Sequence, residues 1–342
     1  MEKQSFTNDN TDRLNSQECN MLKNLSGPVS VAIDVTNKCN FKCLHCFNNS
    51  GNGKDDEFSD EELLQVADQI IDLNPHNVCI CGGEPLCRKN LFDFIDKLKH
   101  KVGCISMVSN GYFMTEEVIS KLKDSGIALI QISLDGVNDF EHDNFRGIKS
   151  SFDRAVKAIK MIEKAGISVA TSFIPNKLNH KNISKYIDFC YSLNVTDVRM
   201  MPFIPMGRGL GFGNNLILNE IEYFEFQKTL YRKKREYTNK LNILWGDPLD
   251  HLQRLPNSAN INANTYSMEI KSNGNLTVTT YLPIVVGNCR KHSLKEYWNA
   301  GYNTIWANED VLSYTNTIKN IHDFEDFKPT PQSGEHIELN LI

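Results

Sequence analysis

Cys39-Asn40-Phe41-Lys42-Cys43-Leu44-His45-Cys46 places three thiols within eight residues, in C-x3-C-x2-C spacing. Three thiolates from one tight loop can hold three irons of a cubane cluster and leave the fourth without a protein ligand. An open iron can bind a small chelating molecule, which a fully ligated cluster cannot. Ten cysteines scattered at random over 342 residues would give this triplet about 0.01 times, so the spacing is informative. A set of buried free thiols, or a zinc loop with a distant fourth ligand, stays open on spacing alone.

The elements that must position this loop form a repeated pattern. A β-branched run over 29–35 predicts a strand, and a Gly- and Asn-rich loop follows. Ser59 with Glu62 three residues on predicts a capping box opening a helix over 59–73. Strands are expected over 77–81, 104–108, 128–133, 167–173 and 197–201, with helices over 91–100, 115–124, 151–165 and 183–193. Six β-then-α units predict a parallel sheet, an α/β partial (β/α)6 barrel. Chemistry in such folds gathers at the C-terminal ends of the strands. The unusual residues follow the strands: 37–46, 82–85, 109–111, 133–136 and 202–209. Past 209 the pattern changes to a helix over 219–237, an irregular stretch, a hairpin (266–270 and 276–280) turning at Asn273-Gly274, and a short helix over 294–298. Three segments are expected: a flexible lead-in over 1–27, the barrel over 28–215 and a C-terminal extension over 216–342.

Composition narrows the function classes. A net charge of -5 argues against nucleic acid as a partner, since phosphate binders carry a basic excess. No run of eighteen apolar residues is present, which predicts no membrane span, and the polar N-terminus lacks the apolar stretch of a signal peptide. A cytoplasmic location is the expectation. Ten cysteines in a large chain without a signal point to metal or thiol chemistry, and only Cys190 and Cys289 lie beyond Cys104.

The triad resembles the signature of the radical S-adenosylmethionine (radical SAM) superfamily, and Gly82-Gly83-Glu84-Pro85 resembles its methionine-binding motif. The resemblance covers most of 29–209. It implies one [4Fe–4S] cluster on Cys39, Cys43 and Cys46, with the methionine moiety of S-adenosylmethionine chelating the open iron. It further implies that Gly82 and Gly83 permit close backbone approach, and that Glu84 helps hold the amino group, beside Pro85. Ser109-Asn110-Gly111 and Ser133-Leu134-Asp135-Gly136 resemble the segments after the third and fourth strands, which places Asn110, Ser133 and Asp135 at the cofactor. Arg146-Gly147 matches the peptide-modifying branch; Arg146 either pairs with the methionine carboxylate or is structural. His45 stands where an aromatic residue is usual, and either stacks on adenine or is a plain loop residue.

Residues 265–300 resemble a cysteine-poor remnant of the SPASM or twitch extension of peptide-modifying relatives. Residues such as Asn262 and Thr280 occupy expected cysteine places, so a single cluster is predicted. Cys289 is expected over the barrel mouth, either packing or returning a hydrogen atom to a substrate radical. Cys79 and Cys81, two apart on a strand, are expected to face one side and pack. Asp247 and His251 are candidate acid–base residues, although an Asp before proline is commonly a turn residue. Arg208 either meets an anionic group or caps the sixth unit. The expected function is radical modification of a peptide, such as crosslinking or epimerisation of a ribosomally made precursor, with a flavodoxin or ferredoxin as reductant. The residues before the barrel are too few for a winged-helix leader-binding domain. A radical enzyme acting on a sugar or cofactor precursor is the alternative, and a non-enzymatic metal scaffold a third reading.

Overall fold

The computed structural model describes residues 25–257, 265–326 and 336–342. Most of the 1–27 lead-in, together with Asn262, lies outside them. Seven parallel strands run in sequence order: β1 (Ser30–Asp34), β2 (Asn77–Cys81), β3 (Cys104–Ser109), β4 (Ile127–Ser133), β5 (Ser168–Phe173), β6 (Asp197–Met200) and β7 (Asn242–Trp245). The helices between them are α1 (Asp60–Leu73), α2 (Leu91–Leu98), α3 (Glu116–Asp124), α4 (Asp139–Arg146), α5 (Ser151–Lys164), α6 (Ile183–Ser192) and α7 (Glu220–Glu236). Parallel neighbours joined in order by right-handed crossovers place every connecting helix on one face of the sheet. That face is apolar: Val31 and Ile33, Val78 and Ile80, and Ile130 and Ile132 are fully buried. Side chains alternate along a strand, so Asp34, Cys79, Cys81, Gln131, Ser133 and Arg199 face the opposite, concave side.

The six expected units are present, and two elements exceed them. Helix α4 stands before α5, and β7 pairs in parallel with β6 where the sequence suggested an irregular stretch. The hairpin forms as β8 (Ser267–Ile270) and β9 (Asn275–Thr277), and β8 pairs in parallel with β1. With β10 (Ile284–Asn288) and β11 (Ile337–Glu338) they make one eleven-stranded sheet, ordered 11-10-9-8-1-2-3-4-5-6-7 among the described residues. Strands from 216–342 thus join both edges of the barrel sheet.

The sheet is curved and not closed. Helix α8 (Pro248–Asn257) follows β7, and His251 on it meets Tyr281 and Trp306 edge-on, with ring centroids 6.1 and 5.3 Å away. Helices α9 (Leu294–Asn299) and α10 (Glu309–Thr315) complete the extension. Ser59–Glu62 forms the expected capping box, and Asn219–Glu222 and Ser293–Glu296 form two more. Each such cap contributes about 1 kcal/mol to its helix. Among the described residues no helix is long and apolar enough to cross a membrane.

Candidate functional site

The cysteine loop leaves β1 at Asp34 and is held from three directions. Beneath it Phe145, Phe203, Leu216 and Ile217 form a small apolar core on which Leu44 packs. Beside it Arg208 donates to the Cys43 carbonyl at 3.0 Å and the Ser50 carbonyl at 2.5 Å, and its own N–H reaches the Cys46 carbonyl. Arg208 therefore braces the cysteine loop, a contact outside both roles expected for it. Gly207, at φ +56, lies so near the Phe47 carbonyl that a Cβ would sit 2.2 Å from it. On the third side Glu57 accepts from the Thr36 hydroxyl and the Asn37 N–H, closing the base of the loop.

The thiols are set up as acceptors. Phe41 N–H points at Cys39 Sγ (3.4 Å), Ser50 N–H at Cys46 Sγ (3.3 Å), and the Arg146 guanidinium lies 3.9 Å from Cys43 Sγ. Burial pushes the Cys39 thiol up to about 12 and raises Cys43 as well, the latter opposed by Arg146. Turning these buried thiols into thiolate ligands thus calls for a cationic centre to compensate them. Among the described residues no three His, Cys, Asp or Glu side chains converge as a single metal ion requires. A cubane spreads its thiolates over three irons, and the N–H···S donors and buried loop fit that group.

Gly82-Gly83-Glu84-Pro85 leaves β2 alongside. Its glycines are needed for contact with the chain itself: a Cβ on Gly82 would lie 2.3 Å from the Thr36 carbonyl, and one on Gly83 2.3 Å from the Lys38 carbonyl. The Gly83 and Glu84 N–H groups bond to those carbonyls. Glu84 is fully buried, accepting from Ser109 Oγ (2.9 Å) and Asn110 N–H (2.8 Å), and burial raises its carboxyl to about 7. Asn110 in turn donates to Asn40 in the cysteine loop. Glu84 and Asn110 therefore tie the ends of β2 and β3 to the thiol loop.

Asp135 is fully buried after β4 and accepts from Arg146 (2.6 Å) and Ile174 N–H (2.8 Å). Burial raises its carboxyl against the pull of Arg146, while Asp135 and Cys43 together hold the guanidinium firmly protonated. Arg146 ends α4, so the helix that sequence reading missed carries this ion pair. Ser133 lies at the rim of β4, opposite Ser172. His45 stacks on Phe145 at 4.1 Å, its Nδ1 unpartnered, and burial holds the ring neutral. One of its faces is thus taken by a protein ring.

The candidate acid–base residues collect elsewhere on the rim. Asp247 accepts from Tyr223 Oη (3.3 Å) and Leu249 N–H (3.0 Å), so it caps α8 as well as facing a phenol. Burial pushes Tyr223 up to about 12. Tyr281 lies within electrostatic reach of both Asp247 and Glu269 on β8 and is raised by its burial. Cys289 does not overlie the barrel mouth as expected. It is buried against α1, where Gln69 donates to its carbonyl and its own N–H bonds to the Gly274 carbonyl as the chain leaves β10. A cleft at Lys240 and Asn242 lies at the opposite end of β7 from Asp247 and lines no part of the site.

Residues 33–190 match the family described as the Radical SAM superfamily. The chain is 24% identical over 297 residues to AdoMet-dependent heme synthase of Methanosarcina barkeri, covering 81% of this chain and 84% of that protein. It is 32% identical over 211 residues to a probable GTP 3',8-cyclase of Saccharolobus solfataricus, covering 59% and 67%. To mycofactocin maturase MftC of Mycolicibacterium smegmatis it is 31% identical over 196 residues, covering 57% of this chain and spanning about half (49%) of that protein. Among solved structures, native anSMEcpe with bound AdoMet and a peptide superposes at TM-score 0.64 and 17% identity, covering 92% of this chain and 93% of the other. SuiB of Streptococcus suis bound to precursor peptide SuiA gives 0.63 at 15% identity, with 89% and 70% covered. At these identities the structures speak for the fold. The family match, together with 32% identity to a relative covered over two thirds of its length, makes the chain a member of the radical SAM superfamily, whose enzymes use a [4Fe–4S] cluster and S-adenosylmethionine.

Proposed function

We propose that this chain uses a single [4Fe–4S] cluster on Cys39, Cys43 and Cys46 to cleave S-adenosylmethionine and abstract a hydrogen atom from a peptide. Held by Cys39, Cys43 and Cys46, a cluster would supply the electron for reductive cleavage of the sulfonium. The chain's own residues do the rest. Gly82, Gly83, Glu84 and Pro85 bring backbone and a carboxyl to the methionine end. Asn110, Ser133, Asp135, Arg146 and His45 form the rest of the cofactor wall. With Asp135 already claiming Arg146, the structural role of that arginine is favoured over direct pairing with the methionine carboxylate. The polar concave face is the place for the substrate, with Asp247, just past β7, and His251 on the helix that follows as the acid–base candidates.

The observation that carries the peptide reading is the fold match along 92% of the chain to an enzyme holding AdoMet and a peptide, extension included. A small-molecule substrate is the second reading, favoured by the GTP cyclase and heme synthase relatives at higher sequence identity. A flavodoxin or ferredoxin reductant and a cytoplasmic setting belong to the same proposal.

Anaerobic reconstitution followed by reduction with S-adenosylmethionine tests it. About four irons per chain and release of 5′-deoxyadenosine are expected, with release accelerated by a short peptide encoded beside the gene. Replacing Cys39, Cys43 and Cys46 together by Ala is expected to abolish the brown absorbance; a retained cluster would sink the ligand assignment. Near eight irons would mean a second cluster.

A further inference from the structure

Cys79 and Cys81 have no part in the cysteine loop, yet both point from β2 onto the concave face. Their sulfurs are 3.4 Å apart. Both are partly accessible, unlike the fully buried Val78 and Ile80 between and before them. Cys81 is the residue immediately before Gly82, and in the sheet it sits opposite Asp34 at the base of the cysteine loop. The thiol pair therefore lies directly beneath the segment assigned to the methionine end of the cofactor.

The surroundings are polar. Ser106 stands opposite Cys79 on β3. Asp34 is paired with Lys271 at 3.4 Å and accepts from Asn48 in the cysteine loop. Arg199, held by Gln131, acts on Cys79 from across the barrel. A bond from the neighbouring thiol brings Cys79 down to about 7, while Cys81 is pushed up by the same bond and by burial. The two shifts run in opposite directions across the 3.4 Å contact, lowering Cys79 and raising Cys81, which favours the shared hydrogen on Cys81.

We propose that Cys79 and Cys81 form a hydrogen-atom donor pair that quenches a carbon radical generated over the concave face. The proposal rests on the radical reading of the site. In the step the Cys81 S–H bond breaks and a C–H bond forms on the carbon radical, leaving a Cys81 thiyl. The thiyl meets the Cys79 thiolate across the 3.4 Å gap and the odd electron is shared in a sulfur–sulfur bond. One electron from a one-electron reductant of the flavodoxin or ferredoxin class, with one proton from solvent, restores thiolate and thiol. The net result is that an electron and a proton reach carbon as a hydrogen atom.

With no substrate identified, the probe is the 5′-deoxyadenosyl radical itself. The reconstituted full chain is reduced by dithionite with S-adenosylmethionine in D2O, and the 5′-deoxyadenosine is weighed by mass spectrometry. Quenching by an exchangeable thiol adds one mass unit. That enrichment is expected in the native chain, retained in Cys104→Ser and Cys289→Ser, lost in Cys81→Ser with iron content unchanged, and limited to about one turnover per chain in Cys79→Ser, which keeps the donor but not its partner. Absent enrichment, or equal enrichment in the pair variants, overturns the proposal. No 5′-deoxyadenosine from a fully loaded chain overturns the radical reading and the proposal with it. An independent readout needs neither cluster nor cofactor: thiolate ultraviolet absorbance of the unloaded chain should begin to rise at lower pH in the native chain than in Cys79→Ser. An onset that Cys79→Ser leaves unmoved also overturns the pair.

Discussion

Glu84 shows how one buried carboxyl can serve two ends. It links Ser109 on β3 to the Asn110 N–H and is raised from 4.5 to about 7 by burial. A carboxyl raised on folding favours the folded state fully below its unfolded pKa. That contribution is lost as pH climbs from 4.5 through 7, because the unfolded chain ionises first. A shift of this size corresponds to about 3 kcal/mol. Glu84→Gln keeps shape and one acceptor but cannot ionise. The difference in unfolding free energy between native and variant chains, measured by denaturant on the unloaded protein, should move in the variant's favour by up to that amount between pH 4.5 and 7. A difference independent of pH would show that Glu84 ionises freely in the folded chain.

At the scale of elements, the β2 exit and the cysteine loop are built against each other with no room for a side chain. Gly83 has an ordinary φ, so its requirement is steric alone: a Cβ would press on the Lys38 carbonyl oxygen and carbon at 2.3 and 2.7 Å. Backbone cannot yield as a flexible side chain can, and forced overpacking costs about 1–3 kcal/mol. Gly83→Ala is expected to lower the melting temperature and to lose iron to a chelator faster than the native chain. Native iron retention would mean that the two loops move independently. This contact was half legible in the sequence. Glycine beside a thiol loop signals close approach, and the β/α periodicity revealed six units with boundaries close to those observed. Helix α4 escaped because 139–146 is polar apart from Phe140 and Phe145 and lacks an apolar period, and β7 because four residues carry little alternation. The Arg146–Asp135 pair was unreadable for the same reason: 11 residues separate the partners, and only α4 brings them together. Cys289 was misplaced because the Asn-Gly turn reveals a hairpin but not the face on which the following segment lands.

Across the whole molecule, the extension works as part of the sheet. Strand β8 covers the outer edge of β1, the strand that launches the cysteine loop, through a parallel ladder from Ser30 to Ile33. Arg290 pairs with Glu62 on α1, Leu294 N–H bonds Gln69, and Trp298 Nε1 donates to the Leu25 carbonyl. Trp298, Tyr302 and Trp306 are buried in the same core as the barrel helices. A barrel ending at residue 264 would leave β1 as a bare edge and uncover the apolar flank of α1, conditions that favour association between chains. The truncated chain is therefore expected to aggregate on size-exclusion chromatography, and the full chain to unfold in one transition shared by barrel and extension. A monomeric, cooperatively folding truncation would show that the edge of β1 is stable alone. If the edge does depend on β8, then the loop carrying Cys39, Cys43 and Cys46 is anchored by a strand more than two hundred residues downstream. Changes in the extension would then alter cluster retention without any cysteine being touched.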